Sequence, residues 1–253
     1  MENKQPSIID LLIETHVGLE RQGPGSTETT CKALGFLGNL EQISNTADLG
    51  CGSGPQTMEL ARHLSGSIVG LDMFSDFIGV LNENADKQGV GDRVRGIVGS
   101  MDDLPFEEES LDLIWSEGAI DNIGFEKGLA HWRGFLKKGG YLAVTCPSWL
   151  TAEHPAVIEG FWSDAGSGLD SVEHNVAILQ ACGYRFIASF ALPEYCWTEK
   201  YFVPREAVLE ELLKKYPDDE TVEAFVAENR YEVDLYSKYG QHYGYVFYIG
   251  QKL

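Results

Sequence analysis

Three glycines at alternate positions, Gly50, Gly52 and Gly54, follow an apolar run that closes on Asp48 and Leu49. Glycine serves where a chain must turn tightly, take positive φ or let a ligand approach its backbone. Between a strand and a helix, three of them make a loop able to wrap around a small molecule. The spacing narrows the ligand. A dinucleotide fingerprint, G-x-G-x-x-G, needs glycine at position 55, where Pro55 stands. Carboxylates recur at comparable stations further on. The run Ser67 to Asp72 is apolar and ends in an acid, eighteen residues after Gly54. The segment Gly99 to Pro105 holds Ser100, Met101, Asp102 and Asp103, and Ser116 to Asn122 holds Glu117 and Asp121.

The elements that must position these residues alternate strand and helix. Thr46 to Leu49 closes strand one, and Met58, Leu60, Ala61 and Leu64 give the next helix its buried side. Strand two runs from Ser67 to Asp72; Phe77, Ile78, Leu81 and Ala85 line a helix that Gly89 can terminate. Arg93 to Val98 reads as strand three and Leu111 to Trp115 as strand four. A helix with Leu129, Trp132 and Leu136 stops at Lys137 to Gly140, and Tyr141 to Cys146 forms strand five. A helix with Val172, Val176 and Leu179, capped at Gly183, precedes strand six at Arg185 to Phe190. Tyr243 to Ile249 is the last strand. Helical crossovers of these lengths imply right-handed connections and a parallel α/β sheet. In such a sheet ligands settle beyond the carboxyl ends of the strands, which is where the glycines and acids fall.

An acid two positions before the first glycine, with glycines at every other position, resembles the cofactor loop of class I S-adenosylmethionine (SAM)-dependent methyltransferases. Gly99 to Phe106, followed by Leu111 to Ile114, is similar to the group that includes ubiquinone- and menaquinone-biosynthesis enzymes. The resemblance implies a Rossmann-like seven-stranded sheet with helices on both faces, strand seven inserted antiparallel beside strand five. It also implies SAM as the cofactor. By that resemblance Gly50, Gly52 and Gly54 pass under the methionine moiety and ribose, and Asp48 supports the loop and helps hold the ammonium group. Asp72 meets the ribose hydroxyls, because two carboxylate oxygens accept in parallel from a cis-diol; it also suits a helix cap before Phe74. Asp102 takes the adenine amino group, with Asp103 as its neighbouring competitor, beside Ser100, and Met101 or Met73 covers an adenine face. Glu117 lines the cofactor's amino end or the acceptor. N-terminal helices of such enzymes fold over the cofactor, which would bring Gln22, Gly23 and Glu28 to its methionine end. The alternative for that segment is an ordinary capped connection, with Ser26 or Thr27 capping the helix that carries Ala33, Leu34 and Leu37.

Composition sets the outer bounds. A chain of 253 residues with 43% hydrophobic content supports one α/β domain over 1–253, with a cofactor core at 46–146. Insertions within 148–167 and 192–240 break the pattern and would form a lid rich in aromatics. A net charge of −20 without a basic stripe argues against a nucleic-acid partner. The polar start, Met1 to Gln5, carries no apolar signal core, and no apolar run can span a bilayer. Five cysteines without CxxC spacing fit a reducing, cytoplasmic compartment and argue against a zinc site. The expectation is no metal.

Methyl transfer to an acceptor that is protonated at neutral pH needs a base, and Glu117, Asp121 and His154 are the candidates. Trp149, Trp162, Tyr195, Trp197 and Tyr201 either form an aromatic lid that attracts a cation or simply pack onto the sheet. Cys51 and Cys146 lie at strand ends with nothing adjacent to activate them. The acidic helices after Pro204 carry apolar stripes that suit either solvated faces or a homodimer interface. The resulting expectation is methyl transfer to a small molecule. The alternatives are a protein methyltransferase, a SAM- or S-adenosylhomocysteine-binding module without turnover, and a nicotinamide oxidoreductase, the last disfavoured by Pro55 and Asp102.

Overall fold

Eight strands build one sheet in the computed structural model, which describes residues 5–164 and 166–253. The first four residues of the polar start, and Ala165 within the 148–167 insertion, lie outside the described residues. The strands are β1 (Asn45–Leu49), β2 (Ser67–Asp72), β3 (Val94–Val98), β4 (Leu111–Ser116), β5 (Leu136–Trp149), β6 (Asp170–Ser171), β7 (Tyr184–Ala191) and β8 (Tyr243–Lys252). Their order is β3-β2-β1-β4-β5-β8-β7, with the two-residue β6 paired to the end of β5. Strands β1 to β5 run parallel; β8 lies antiparallel between β5 and β7. This is the class I methyltransferase sheet, with the final strand inserted as its resemblance implied.

The strands form because their sequences suit burial on both faces. Leu113, Ile114 and Trp115 of β4, and Leu142, Ala143 and Val144 of β5, are fully enclosed. Local chemistry sets the helix starts. Ser26 caps helix Thr27–Leu34 through a reciprocal pair with Thr29, and Gly54, in a left-handed conformation, leads into Pro55 at the head of helix Pro55–His63.

Two expectations need correction. The helix expected to carry Leu136 ends at Trp132, because Gly134 and Phe135 fold back in tight turns onto His131 and Trp132. Leu136 instead opens β5, opposite Leu111, and a register shift follows between Leu111 and Leu113. Gly139, at φ 78°, lies inside this irregular strand, where a positive φ permits the bend. The apolar stripes of the C-terminal helices, Val203–Lys215 and Glu220–Tyr239, are used within the chain. Leu209, Leu212, Val222, Phe225 and Val226 pack with Leu11 of the first helix, Ile8–His16.

That first helix anchors the N-terminal segment to the lid. His16 Nε2 lies 3.1 Å from the Tyr201 hydroxyl, and Lys215 reaches Glu14. Among the described residues no helix is long and apolar enough to cross a membrane.

Candidate functional site

The ends of β1, β2, β3 and β4 and the segment Arg21–Pro24 line one cavity of about 370 Å³. It sits where strand order reverses between β1 and β4, the position at which open α/β sheets take ligands. Gly50 and Gly52 line it after β1, Asp72 and Met73 after β2, Ser100, Met101 and Asp102 after β3, and Glu117 after β4. Gln22 and Gly23 line it from the N-terminal side.

The glycine loop has no room for side chains. Gly50, Gly52 and Gly54 take φ of 69°, 53° and 83°. A Cβ on Gly50 would stand 2.3 Å from the Ala119 methyl, and one on Gly54 would meet Leu81 at 2.7 Å. The loop is tied down on two sides. Gly50 and Cys51 donate backbone N–H groups to the Leu71 carbonyl, while Gly52 N–H donates to Asp72 Oδ2 at 2.9 Å. The other oxygen of Asp72 accepts from Phe74 N–H at 3.0 Å, so this carboxylate joins the end of β2 to both neighbouring turns. From the opposite side Gln22 accepts from Ser53 N–H at 2.9 Å and donates to Ser53 Oγ at 2.8 Å.

Asp48 lies beneath the loop rather than in the lining. It is fully buried; Oδ2 accepts from Thr57 Oγ1 at 2.6 Å, and Oδ1 has no partner among the described residues. Burial pushes its carboxyl from 3.8 to about 7. The folded chain thus keeps a proton there that the unfolded chain releases. The stability contributed by this group is full below about pH 4 and declines as pH rises toward about 7. Asp48→Asn, which keeps an acceptor for Thr57, is expected to flatten that decline. Urea unfolding midpoints at the two ends of the window test it; an unchanged slope would mean Asp48 is ionised in the fold throughout.

Glu117 is fully engaged. Oε2 accepts from Arg21 Nη1 at 2.8 Å, and Oε1 from Thr30 Oγ1 at 2.7 Å and Trp115 Nε1 at 2.9 Å. With both side chains under a tenth exposed, this is a buried ion pair that fastens the N-terminal segment to the end of β4. Arg21 Nε is left without a partner among the described residues. No local signal marks Arg21, because Glu117, its charged partner, stands 96 positions away.

The remaining candidates separate. Asp121, in the turn Ile120–Asn122 past β4, is half-buried and sits between the lining residues Ala119 and Asn122 without itself lining the cavity; Oδ2 accepts from Ser167 at 3.2 Å, and Oδ1 has no partner among the described residues. Burial raises its pKa. His154 stands apart from the cavity lining, stacked on Trp149 at 3.7 Å and 3.1 Å from Glu159. Asp102 pairs with Lys127 at 2.7 Å at the rim, and its N–H donates to Ser100 Oγ. Glu28 is exposed on the first turn of its helix, outside the cavity.

The aromatic insertions pack onto the sheet and onto one another. Trp197 stacks on Tyr236 at 4.6 Å and on Tyr245 at 5.4 Å, and Trp162 meets Tyr243 edge-on at 5.9 Å. None of Trp149, Trp162, Tyr195, Trp197 or Tyr201 lines the cavity, so the packing alternative describes their contacts. Three donors in that cluster, Trp162 Nε1, Trp197 Nε1 and the Tyr243 hydroxyl, lack partners among the described residues. Cys51 and Cys146 are buried thiols pushed well up by desolvation, which makes them poor nucleophiles.

Residues 47–144 match the family model described as a methyltransferase domain. Sarcosine/dimethylglycine N-methyltransferase of Aphanothece halophytica is 28% identical over 128 residues, 48% of this chain and 44% of the relative. Demethylmenaquinone methyltransferase of Lactiplantibacillus plantarum is 32% identical, over 34% of this chain and 37% of the relative. The quinone group is therefore one weak match among several and is not singled out. The chain spans about half the length of the curated relatives it matches first. A SAM-dependent methyltransferase from Geobacter sulfurreducens, solved with S-adenosylhomocysteine, superimposes with a TM-score of 0.82. It has 20% identity and covers 96% of this chain and 98% of its own.

Proposed function

We propose that this chain is a class I SAM-dependent methyltransferase that transfers a methyl group to a small molecule, a reading supported by its sheet order and by the methyltransferase-domain match over residues 47–144. The observation that carries the reading is the convergence of four loops and the segment Arg21–Pro24 on one cavity.

The residues fit the cofactor. The glycine loop offers bare backbone at positive φ, and no atom stands within 4 Å of a Cβ built on Gly23 or Gly118, so the cavity has space along both. Asp72 uses one lone pair on each oxygen and keeps others for ribose hydroxyls. Asp102, at the rim of the cavity, would meet the adenine end, and Arg21 Nε, without a partner among the described residues, would serve the amino-acid carboxylate. When bound, SAM supplies a methyl group on a sulfonium, already activated for displacement. The chain's part is to hold the acceptor in line with it, which by positioning alone lowers a barrier by about 7–11 kcal/mol.

Of the candidate bases, Asp121 has the free oxygen. Glu117 has none to spare, and His154 is stacked on Trp149 away from the cavity lining. A small acceptor that carries polar groups is in keeping with the relative named as a sarcosine/dimethylglycine N-methyltransferase.

Asp72→Ala is expected to weaken S-adenosylhomocysteine binding by about 1–3 kcal/mol, as for hydroxyls left without an acceptor. Calorimetry on the folded variant measures this, and unchanged affinity would remove Asp72 from the ribose site. The overall reading is tested by transfer of label from methyl-labelled SAM into a fractionated extract. Label in small molecules supports it, and label in protein or RNA overturns the acceptor class. Binding of S-adenosylhomocysteine without any transfer favours a cofactor-sensing module.

A further inference from the structure

Two helices that flank the cofactor loop bring three dissimilar ligand groups together, away from the cavity. Helix Pro55–His63 carries Glu59 and His63 one turn apart on the same face. Helix Thr27–Leu34 packs against it and delivers Cys31. Cys31 Sγ lies 3.2 Å from Glu59 Oε1 and 3.5 Å from His63 Nε2, and the latter two atoms are 3.0 Å apart.

We infer that Cys31, Glu59 and His63 form a surface site for a thiophilic divalent cation of the zinc class, with an outward position left to water. The argument is geometric. Metal bonds of about 2.3 Å to sulfur and 2.0–2.2 Å to nitrogen and oxygen, at tetrahedral angles, place such ligand atoms about 3.4–3.6 Å from one another. The three distances here fall short of one face of that tetrahedron by less than half an ångström, so small side-chain rotations seat the ion. The donor set of one sulfur, one imidazole and one carboxylate suits zinc and not calcium or magnesium. Arg62 occupies the other oxygen of Glu59, which leaves Oε1 turned toward the sulfur and imidazole. Arg62 is more than half exposed and can swing away as the cation arrives.

Without metal the thiol keeps its proton. Burial, and after it the neighbouring Glu59, pushes Cys31 up to about 11. A bound cation takes the place of that proton, which is released to solvent. The chain's charge of −20 favours accumulation of cations at its surface. The expectation against zinc drawn from sequence spacing considered no pairing across helices; Cys31 stands 28 positions from Glu59.

The ion would fasten the helix bearing Thr30, which holds Glu117, to the helix that starts at Gly54. Titration of the full chain with cobalt(II), followed by zinc, tests the site. The expected result is one equivalent of cobalt bound, with thiolate-to-cobalt charge-transfer absorption and tetrahedral visible bands that zinc abolishes. Cys31→Ser and His63→Ala should each lose these bands and weaken zinc binding by about 100-fold or more. Their unfolding midpoints without metal should stay near that of the parent. Absence of the bands in the parent, or bands that persist in Cys31→Ser, would overturn the site. Neither result depends on methyl transfer.

Discussion

Glu117→Ala is expected to lower the free energy of unfolding by about 3 kcal/mol, one of the largest effects of any single substitution outside the deep core. The carboxylate receives Arg21, Thr30 and Trp115 together, and its removal leaves a guanidinium without a counter-charge where it is 7% exposed. The lower end of the usual 3–5 kcal/mol range is appropriate because Arg21 also lines the open cavity. Urea unfolding measures the loss, and a midpoint equal to the parent's would show that the pair carries no net stability. Removing the charges together separates structure from binding. Arg21→Met with Glu117→Leu is expected to regain most of the stability, since hydrophobic replacement of a buried pair is often neutral. It should still bind S-adenosylhomocysteine poorly if Arg21 and Glu117 meet the amino-acid end of the cofactor. Full affinity in that double variant would confine the pair to a structural role.

The second large effect is on rate. Asp121→Asn is expected to reduce kcat by about 10²–10⁴-fold for an acceptor that must lose a proton, with little change in cofactor affinity. The amide keeps an acceptor for Ser167, so the local structure should be preserved. The sign of the pH dependence is an independent check. Burial raises the Asp121 pKa, and only the ionised form can take a proton, so activity should fall as pH drops through that raised value. The variant should lose this acid limb. A parent-like rate and an unchanged profile would show that the proton leaves by another route, or that the acceptor needs no base.

How far the sequence could be read depends on how local each signal is. Gly50, Gly52, Asp72, Asp102 and Glu117 are encoded within a few residues of their strands, and all border one cavity, while Gly54, Asp103 and Asp121 do not line it. Asp48 was also legible, although the structure sets it under the loop, held by Thr57 nine residues on, rather than in the lining. Leu136 was misassigned because its apolar spacing from Leu129 and Trp132 fits a helix. Its pairing with Leu111, a partner 25 positions away, places it in a strand. The aromatics of the insertions carry no period, so composition could suggest a lid but not that Trp197 would be taken up by Tyr236 and Tyr245.

By itself the sequence determined the alternating architecture, the glycine loop and the acids that follow the strands, because strand periodicity, glycine conformation and helix caps act over a turn or two of chain. Only the tertiary structure decided which charges are free to act. Arg21 closes on Glu117 across 96 positions and leaves Asp121, of the candidate bases Glu117 and Asp121, with an oxygen to spare, and Cys31 meets Glu59 and His63 across a helix pair. Burial and pairing between distant segments set these properties, and no local pattern encodes the partner.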